Sequence, residues 1–274
     1  MTKANDWEGR TGESWAAEWR RTDRSWSGLT EQLLGRTRDF TFSSVLDIGC
    51  GAGELSLAIA RGRPTARVIG LDISAPLVEA ARERGRNLTN AAFDTGDAAR
   101  WIPPEDFAPD LLVSRHGVMF FDDPAGAFAH LAQIAAPGAG LLFSCFRGPT
   151  ENEFFTGPGS LLPRPATPRD PHAPGPMAFA DPERVRGILA QAGWHAADFA
   201  PVDFAMVVGA GENALDDALA YFASIGPLAA AAAELTPAER DDLFVRLRAW
   251  LAPRQVDDLV ALGAAAWIVT ARRG

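Results

Sequence analysis

Short apolar runs alternate with amphipathic segments along most of the chain. Seven runs rich in Val, Ile, Leu, Phe and Ala predict β-strands, and the 3.6-residue periodicity between them predicts α-helices. The predicted strands cover residues 45–48, 67–71, 91–94, 110–114, 140–146, 198–208 and 264–271. The predicted helices cover residues 56–61, 76–84, 124–135, 181–192, 213–224 and 237–252. This alternation indicates βαβ units and therefore a doubly wound, mostly parallel sheet with its strand C-terminal ends at one edge.

The pattern is interrupted after the fifth predicted strand. Prolines and glycines crowd into residues 148–176, and a loop of this length is usually a lid, a binding loop or a disordered insertion. We expect a single domain over residues 1–274. Its parts are a helical lid (1–40), a core (41–147), a proline-rich loop (148–180) and a C-terminal half (181–274) with a helical insertion at 212–253.

Composition narrows the range of partners and compartments. The net charge of −9 argues against a general nucleic-acid binder, which needs a basic surface. The two cysteines, Cys50 and Cys145, cannot form a disulfide framework, the N-terminus lacks the apolar core of a signal peptide, and no apolar run is long enough to span a membrane. We therefore expect a cytoplasmic protein. Its oligomeric state stays open, with a dimer as one option.

The most informative segment runs from the first predicted strand into three alternating glycines, Gly49, Gly51 and Gly53, with Cys50 between the first two. Such glycines let the backbone turn sharply and let a ligand approach closely. The dinucleotide fingerprint requires a glycine at the sixth position, where this chain has Glu54. Asp47, just before the loop, would repel a pyrophosphate but suits a positively charged ligand such as a sulfonium with an α-amino group.

Two more aspartates follow the next two predicted strands. Asp72 is placed to accept both hydroxyls of a ribose, and Asp97 to accept from an adenine amino group, with the backbone N–H of Ala98 beside it. Each aspartate alone is more simply a helix N-cap. Three of them at successive strand ends, together with the glycine loop, favour a nucleoside site.

The segment from Asp47 to Gly53 resembles the first motif of the class I S-adenosylmethionine-dependent methyltransferases. Asp72, Asp97–Ala98, the strand through Ser114 and the segment 135–141 match the later motifs of that family in order. The resemblance implies a seven-stranded sheet whose last strand is inserted antiparallel. It implies S-adenosylmethionine as cofactor and S-adenosylhomocysteine as product. In the family the loop glycines approach the methionyl part, the counterpart of Asp72 holds the ribose and that of Asp97 the adenine, while Ile73 would pack on the adenine face.

Two further segments are similar to a small-molecule-acting subgroup of the family. They are a leader with Trp7, Gly9, Gly12 and Trp15, and the segment 114–124. In that subgroup the N-terminal helices close over the cofactor, so Trp15 is a candidate cofactor contact. The tryptophans also fit a hydrophobic staple that holds a terminal helix to the domain. His116 departs from the subgroup, which more often has an aromatic residue there.

Methyl transfer from a sulfonium needs mainly positioning and exclusion of water, and a general base is optional. The acceptor pocket is expected above the end of the fourth strand, where His116 is the candidate base and Arg115 a candidate for binding an acceptor carboxylate. Pairing with Asp122 or Asp123 is the alternative role for Arg115, and a lone histidine is more often a packed bystander. The scattered histidines and cysteines predict no metal site.

The sequence therefore favours a methyltransferase that acts on a small-molecule acceptor and binds neither nucleic acid nor membrane. A peptide or protein methyltransferase and a non-catalytic S-adenosylmethionine-binding protein stay open, because a fold and a cofactor site do not establish a reaction. An NAD-dependent dehydrogenase is disfavoured by Asp47 and Glu54.

Overall fold

The computed structural model of the protein describes residues 7–163 and 170–274. The first six residues of the predicted lid lie outside this range. So do Pro165 and Pro168, two of the prolines in the proline-rich segment.

A sheet of eight strands forms the centre of the described fold. In spatial order the strands are β3-β2-β1-β4-β5-β8-β6, and β7 pairs with β8. Strands β1 to β5 are parallel, and β8 lies antiparallel between β5 and β6. The strands are β1 (Ser44–Ile48), β2 (Arg67–Asp72), β3 (Ala91–Thr95), β4 (Leu111–Arg115), β5 (Gly140–Phe146), β6 (Trp194–Ala210), β7 (Gln255–Val256) and β8 (Leu259–Arg273).

Helices connect and cover these strands. Two of them, α1 and α2, precede β1, and three of them, α8 to α10, form the predicted insertion between β6 and β7. The helices are α1 (Arg10–Ala17), α2 (Trp19–Arg36), α3 (Glu54–Gly62), α4 (Ala75–Gly85), α5 (Pro124–Ile134), α6 (Glu153–Gly159), α7 (Pro182–Gln191), α8 (Ala214–Ser224), α9 (Gly226–Ala232) and α10 (Pro237–Leu251).

Local sequence explains where several helices begin. The Asp123 side chain accepts from the backbone N–H of Gly126 at the start of α5, and Thr236 forms a reciprocal capping box with Glu239 at the start of α10. Both helices also carry proline in the first turn, where no backbone donor is needed.

The predicted fold class is confirmed, including the antiparallel insertion of the last long strand. Two details differ. The segment 148–180 is not only loop, because it contains a 3₁₀ turn at Pro149–Glu151 and the helix α6. The sheet has an eighth, two-residue strand, β7, and β6 and β8 are longer than their apolar runs because they pair along most of their length. Proline content does not predict the helix α6, and hydrophobicity does not predict how far β6 and β8 pair.

The strands beside the predicted site are deeply buried. All seven residues of β5 are buried, and Leu111 to Ser114 of β4 are inaccessible to solvent. The main hydrophobic cluster extends from Trp26 in α2 to Ala271 in β8, so the N-terminal helix shares its core with the sheet. This packing fixes the strand ends from which the candidate site is built. No helix among the described residues is long and apolar enough to cross a membrane.

Candidate active site at the carboxyl edge of the sheet

The glycine loop after β1 adopts a backbone that side chains disfavour. Gly49, Gly51 and Gly53 have φ values of 65°, 55° and 84°, all in the left-handed region. A Cβ on Gly49 would lie 2.8 Å from the Cα of Gly117, so the loop and the segment after β4 approach to backbone contact there. A Cβ on Gly51 would meet no atom within 4 Å, so this part of the loop faces open space.

Asp72, at the end of β2, holds this loop in place. One carboxylate oxygen accepts from the backbone N–H of Gly51 at 2.8 Å, and the other accepts from the N–H of Ser74 at 2.9 Å. Burial raises the pKa of Asp72, and the hydrogen bonds from the backbone oppose that rise. Sequence reasoning missed this loop-organising role, although an aspartate two residues before a helix N-cap is typical of such a turn.

Asp47 lies in β1, directly beneath the loop, and is almost inaccessible to solvent. The Ser56 hydroxyl of α3 donates to one carboxylate oxygen at 2.5 Å, while Oδ1 has no partner among the described residues. Burial raises the pKa of Asp47 to about 6, against the opposing effects of Ser56 and of the charge on Arg115. A buried carboxylate with a free oxygen is a ready acceptor for a cationic ammonium group.

Asp97 follows β3 at the same edge. Its carboxylate accepts from the backbone N–H of Ala99 at 2.9 Å and pairs with Arg100 at 3.0 Å. Ala98 is buried beside it, and Ile73 is half-buried after β2. Asp97 also lines a cavity of about 350 Å³ whose other walls come from the segment after β4 and the start of α5. These walls are Ala99, Phe120, Phe121, Asp122, Asp123, Gly126 and Ala127.

The N-terminal segment packs against this edge. A Cβ on Gly12 would lie 2.2 Å from the Ser74 hydroxyl, so α1 touches the N-terminus of α4. Trp7 lies 5.2 Å from Trp15 and 5.3 Å from Phe120 between ring centroids, both edge to face. The tryptophans therefore hold α1 close to the cavity beside Asp97.

Ser114 ties the ends of β1 and β4 together. Its buried hydroxyl donates to the carbonyl of Ile48 at 2.6 Å and accepts from the N–H of Gly117 at 3.1 Å. The three residues Ser114, Ile48 and Gly117 thereby fix the close approach seen at Gly49. Cys50, in the loop itself, is buried, and burial raises the pKa of its thiol.

His116 occupies an aromatic environment just after β4. Its ring stacks on Phe146 at 4.1 Å and meets Trp26 edge-on at 5.2 Å, and its backbone has a φ of 64°. Nδ1 lies 3.3 Å from the Ser144 hydroxyl, whereas the buried Nε2 has no partner among the described residues. Burial, followed by the charge on Arg115, lowers the pKa of His116 to about 3. The ring is therefore neutral at physiological pH.

Arg115 points toward the N-terminal helices. It forms an ion pair with Glu54, donates to the Thr30 hydroxyl at 2.8 Å and lies 3.8 Å from Asp23. Burial lowers the pKa of Arg115, and Asp23 opposes that change. The alternative pairing with Asp122 or Asp123 is wrong, because those two residues line the cavity beside Asp97 instead. The acids that pair with Arg115 come from α2 and the start of α3, which sequence separation did not reveal.

The same sheet edge therefore carries the loop glycines, Asp47, Asp72 and Asp97. Comparison with known proteins bears on the domain and the fold. Residues 45–138 match a family model described as a methyltransferase domain. Among solved structures, the YcgJ protein from Bacillus subtilis matches with a TM-score of 0.55 at 16% identity, over 90% of this chain and 98% of that chain. Phosphoethanolamine N-methyltransferase 2 from Haemonchus contortus, in complex with S-adenosyl-L-methionine, matches with a TM-score of 0.57 at 16% identity, over 100% of this chain and 60% of that chain.

The curated relatives match less than half of this chain. A trans-aconitate 2-methyltransferase from Variovorax paradoxus is 34% identical over 125 residues, which are 46% of this chain and 47% of that protein. A malonyl-[acyl-carrier protein] O-methyltransferase from Xylella fastidiosa is 36% identical over 102 residues, or 37% of this chain and 34% of that protein. The chain thus spans about half or less of the length of these relatives. The architecture is that of the class I methyltransferase fold. Within that fold, residues 45–138 are similar to a methyltransferase domain.

Proposed function

We propose that the protein transfers a methyl group from S-adenosylmethionine to a small-molecule acceptor. The observation that carries the proposal is the free Oδ1 of buried Asp47 beneath a loop of three left-handed glycines. S-adenosylmethionine supplies a methyl group activated by a sulfonium, and it leaves as S-adenosylhomocysteine. A dinucleotide would bring a pyrophosphate to the same loop, where Asp47 would repel it.

The residues present fit this cofactor from end to end. Asp47 is suited to the α-amino group, and Gly49, Cys50, Gly51 and Gly53 are suited to the backbone contacts of the methionyl part. Ser114 keeps the loop at its observed distance from β4.

The nucleoside half of the cofactor would bind at the ends of β2 and β3. Asp72 retains lone pairs for the ribose hydroxyls beside the backbone donors that it already binds. The cavity at Asp97, with Ala98 and Ile73 near it, is suited to the adenine. Trp15 of α1 would help to close this edge from water, because α1 packs directly on α4.

The chain's own part in the reaction is positioning and exclusion of water. A general base works best when its pKa lies near the operating pH, so the low pKa of His116 favours hydrogen bonding to the acceptor over proton abstraction. Arg115 is tied to Glu54, which links the end of β4 to the cofactor loop; we propose that it positions the loop.

A small acceptor is supported by the elements that cover the site. Trp26 of α2 and Phe155 of α6 pack around Phe146 at the end of β5, and α8 packs on β6, whereas a macromolecular acceptor would need an open face. The names of the two relatives above also describe a small acid and a carrier-bound acyl group. A peptide or protein acceptor, or binding without transfer, stays the alternative.

The cellular compartment, the partners and the domain division of the protein are also proposals. Buried, unpaired Cys50 and Cys145 favour a reducing compartment and hence the cytoplasm. The net charge of −9 disfavours nucleic acid as a partner. We also propose that residues 1–274 form a single methyltransferase domain.

Calorimetry tests the cofactor assignment directly. Purified protein is titrated with S-adenosylmethionine, S-adenosylhomocysteine and NAD. We expect micromolar binding of the two sulfur nucleosides, none of NAD, and at least about tenfold weaker binding by Asp47→Asn, because a charge-assisted contact is lost. Asn keeps an acceptor for Ser56, so the loop stays in place.

Asp106→Asn is the matched control. It makes the same change on the surface, in an ion pair with Arg67 in which the Asp106 side chain is 77% exposed, and we expect no effect on binding. NAD binding, or equal affinity in wild type and Asp47→Asn, would contradict the cofactor assignment.

A further inference from the structure

Three buried polar groups lie outside the cofactor residues. His116 Nε2 has no hydrogen-bond partner among the described residues, whereas the Tyr221 hydroxyl has the Thr22 and Ser25 hydroxyls beside it as partners. The three side chains belong to residues no more than 9% exposed. A buried polar atom without a partner costs free energy, so the Nε2 atom of His116 calls for a ligand that satisfies it.

Helix α2 contacts the elements that carry Tyr221 and His116. Thr22 and Trp26 are four residues apart and therefore share one face of the helix. The Trp26 ring contacts His116 at 5.2 Å between centroids. The Tyr221 hydroxyl, on α8, lies beside Thr22 and Ser25 and feels the charge of Arg115, the neighbour of His116. The three groups therefore lie where α2 meets α8 and the end of β4.

The walls around His116 are aromatic. Phe146 stacks on His116 at 4.1 Å and meets Trp26 at 5.5 Å. Phe155 of α6 packs edge-on against Phe146 at 4.9 Å, and Phe204 of β6 lies 6.0 Å from Trp26. Such walls favour a flat apolar ligand.

The positive charges near this region are already neutralised. Arg115 pairs with Glu54 and Asp23. On the neighbouring elements, Arg24 pairs with Asp217 at 2.7 Å. An anionic ligand would have to displace one of these carboxylates, and two carboxylates close together would repel each other.

Arg147, at the end of β5, is held in the same way. It pairs with Glu151 and, at 2.8 Å, with Asp203. The described arginines that flank the aromatic walls from α2, β4 and β5 thus each have a carboxylate partner.

We propose that the acceptor is an uncharged molecule with a flat aromatic or apolar body and a hydroxyl or amine that hydrogen-bonds to His116 Nε2 and Tyr221. This assignment rests on the proposed methyltransferase function and narrows its acceptor class. It separates this chain from a relative named for trans-aconitate, whose several carboxylates need cations that are free to bind them.

Ligand-observed NMR on protein saturated with S-adenosylhomocysteine tests the proposal. The probes are 2-naphthol and 2-naphthoate, which share a ring system and differ in charge, and trans-aconitate. We expect 2-naphthol to bind at least about tenfold more tightly than 2-naphthoate, and trans-aconitate not to bind. His116→Phe and Tyr221→Phe keep the rings, and each should weaken 2-naphthol binding about threefold to tenfold, the value of one hydrogen bond.

The other outcomes overturn the acceptor class. These are equal or tighter binding of 2-naphthoate, binding of trans-aconitate, binding of no probe, or full 2-naphthol affinity in both variants. The affinity for S-adenosylhomocysteine, measured on the same samples, reports folding of the variants. If wild-type protein fails to bind S-adenosylhomocysteine, the proposed function fails. If it binds the nucleoside but rejects 2-naphthol, only the acceptor class fails.

Discussion

The Asp72 carboxylate accepts a hydrogen bond of 2.8 Å from the backbone N–H of Gly51. The end of β2 therefore shapes the loop that follows β1, and a residue suited to the cofactor ribose also holds the loop against which the methionyl part would lie. A substitution at Asp72 consequently changes the shape of the site as well as its chemistry.

Asp72→Ala should lower both stability and binding. Two backbone donors, those of Gly51 and Ser74, lose their partner, which we expect to cost about 1–3 kcal/mol in the free energy of unfolding, because relief of the buried charge offsets part of the loss. Urea titration and calorimetry with S-adenosylhomocysteine measure the two effects. Undiminished stability would show that the loop does not depend on this carboxylate.

Asp47→Asn should separate stability from binding. A buried carboxyl whose pKa is raised from 3.8 to about 6 binds its proton more tightly in the folded state, so it destabilises the fold at pH 7 by an amount on the order of 3 kcal/mol. The neutral amide should raise the free energy of unfolding by about 1–3 kcal/mol while S-adenosylhomocysteine binding falls. Chemical unfolding at pH 7 measures the gain, and a less stable variant would contradict it.

Gly49→Ala should be strongly destabilising. The added Cβ meets the Gly117 backbone at 2.8 Å, and alanine disfavours a φ of 65°. We expect a loss of about 2–4 kcal/mol in the free energy of unfolding. Gly62→Ala, at the end of α3 where a Cβ would meet nothing within 4 Å, is the control and should be neutral or slightly stabilising. Thermal unfolding of the pair decides the comparison.

His116 should make the fold sensitive to acid. Its pKa is about 3 in the folded protein and 6.5 in the unfolded chain, so the unfolded state binds the proton first as the pH falls. The stability that the neutral ring contributes is complete above pH 6.5 and is lost as the pH falls toward 3. At pH 5 the loss is about 2 kcal/mol.

His116→Phe removes this titration. The difference in unfolding free energy between wild type and His116→Phe, measured by urea titration at pH 7 and pH 5, should shift by about 2 kcal/mol in favour of the variant at the lower pH. An unchanged difference would mean that the ring takes up its proton in the folded state as readily as in the unfolded chain.

Glu54→Gln should lower the free energy of unfolding, because it removes the ion pair with Arg115. Removal of the acid leaves a largely buried guanidinium balanced mainly by the weaker ion pair with Asp23 at 3.8 Å, and we expect a loss of about 3 kcal/mol in unfolding free energy. Asp106→Asn breaks the exposed pair with Arg67 and should cost less than about 1 kcal/mol. Equal losses in the two variants would rule out a special role for the buried pair.

Much of the cofactor edge could be predicted from local sequence. The glycines at 49, 51 and 53 take the left-handed conformations that only glycine adopts easily, and Asp47, Asp72 and Asp97 lie at successive strand ends, as parallel connections require. Apolar runs and periodicity likewise predicted strands β1 to β5 and the helices α3, α4 and α5 within a few residues of their ends. These features depend on neighbours in the chain or on a rule that holds for every right-handed crossover.

The surroundings of the proposed acceptor site depend on contacts between distant segments. Arg115 pairs with Glu54 and Asp23, and the His116 ring meets Trp26 of α2 and Phe146 of β5. The sequence determined the sheet, its glycine loop and the order of its acids, because these follow from backbone geometry and local pattern. Only the tertiary structure decided which charges are neutralised and which polar atoms stay unpaired, because both depend on how separate elements exclude water together.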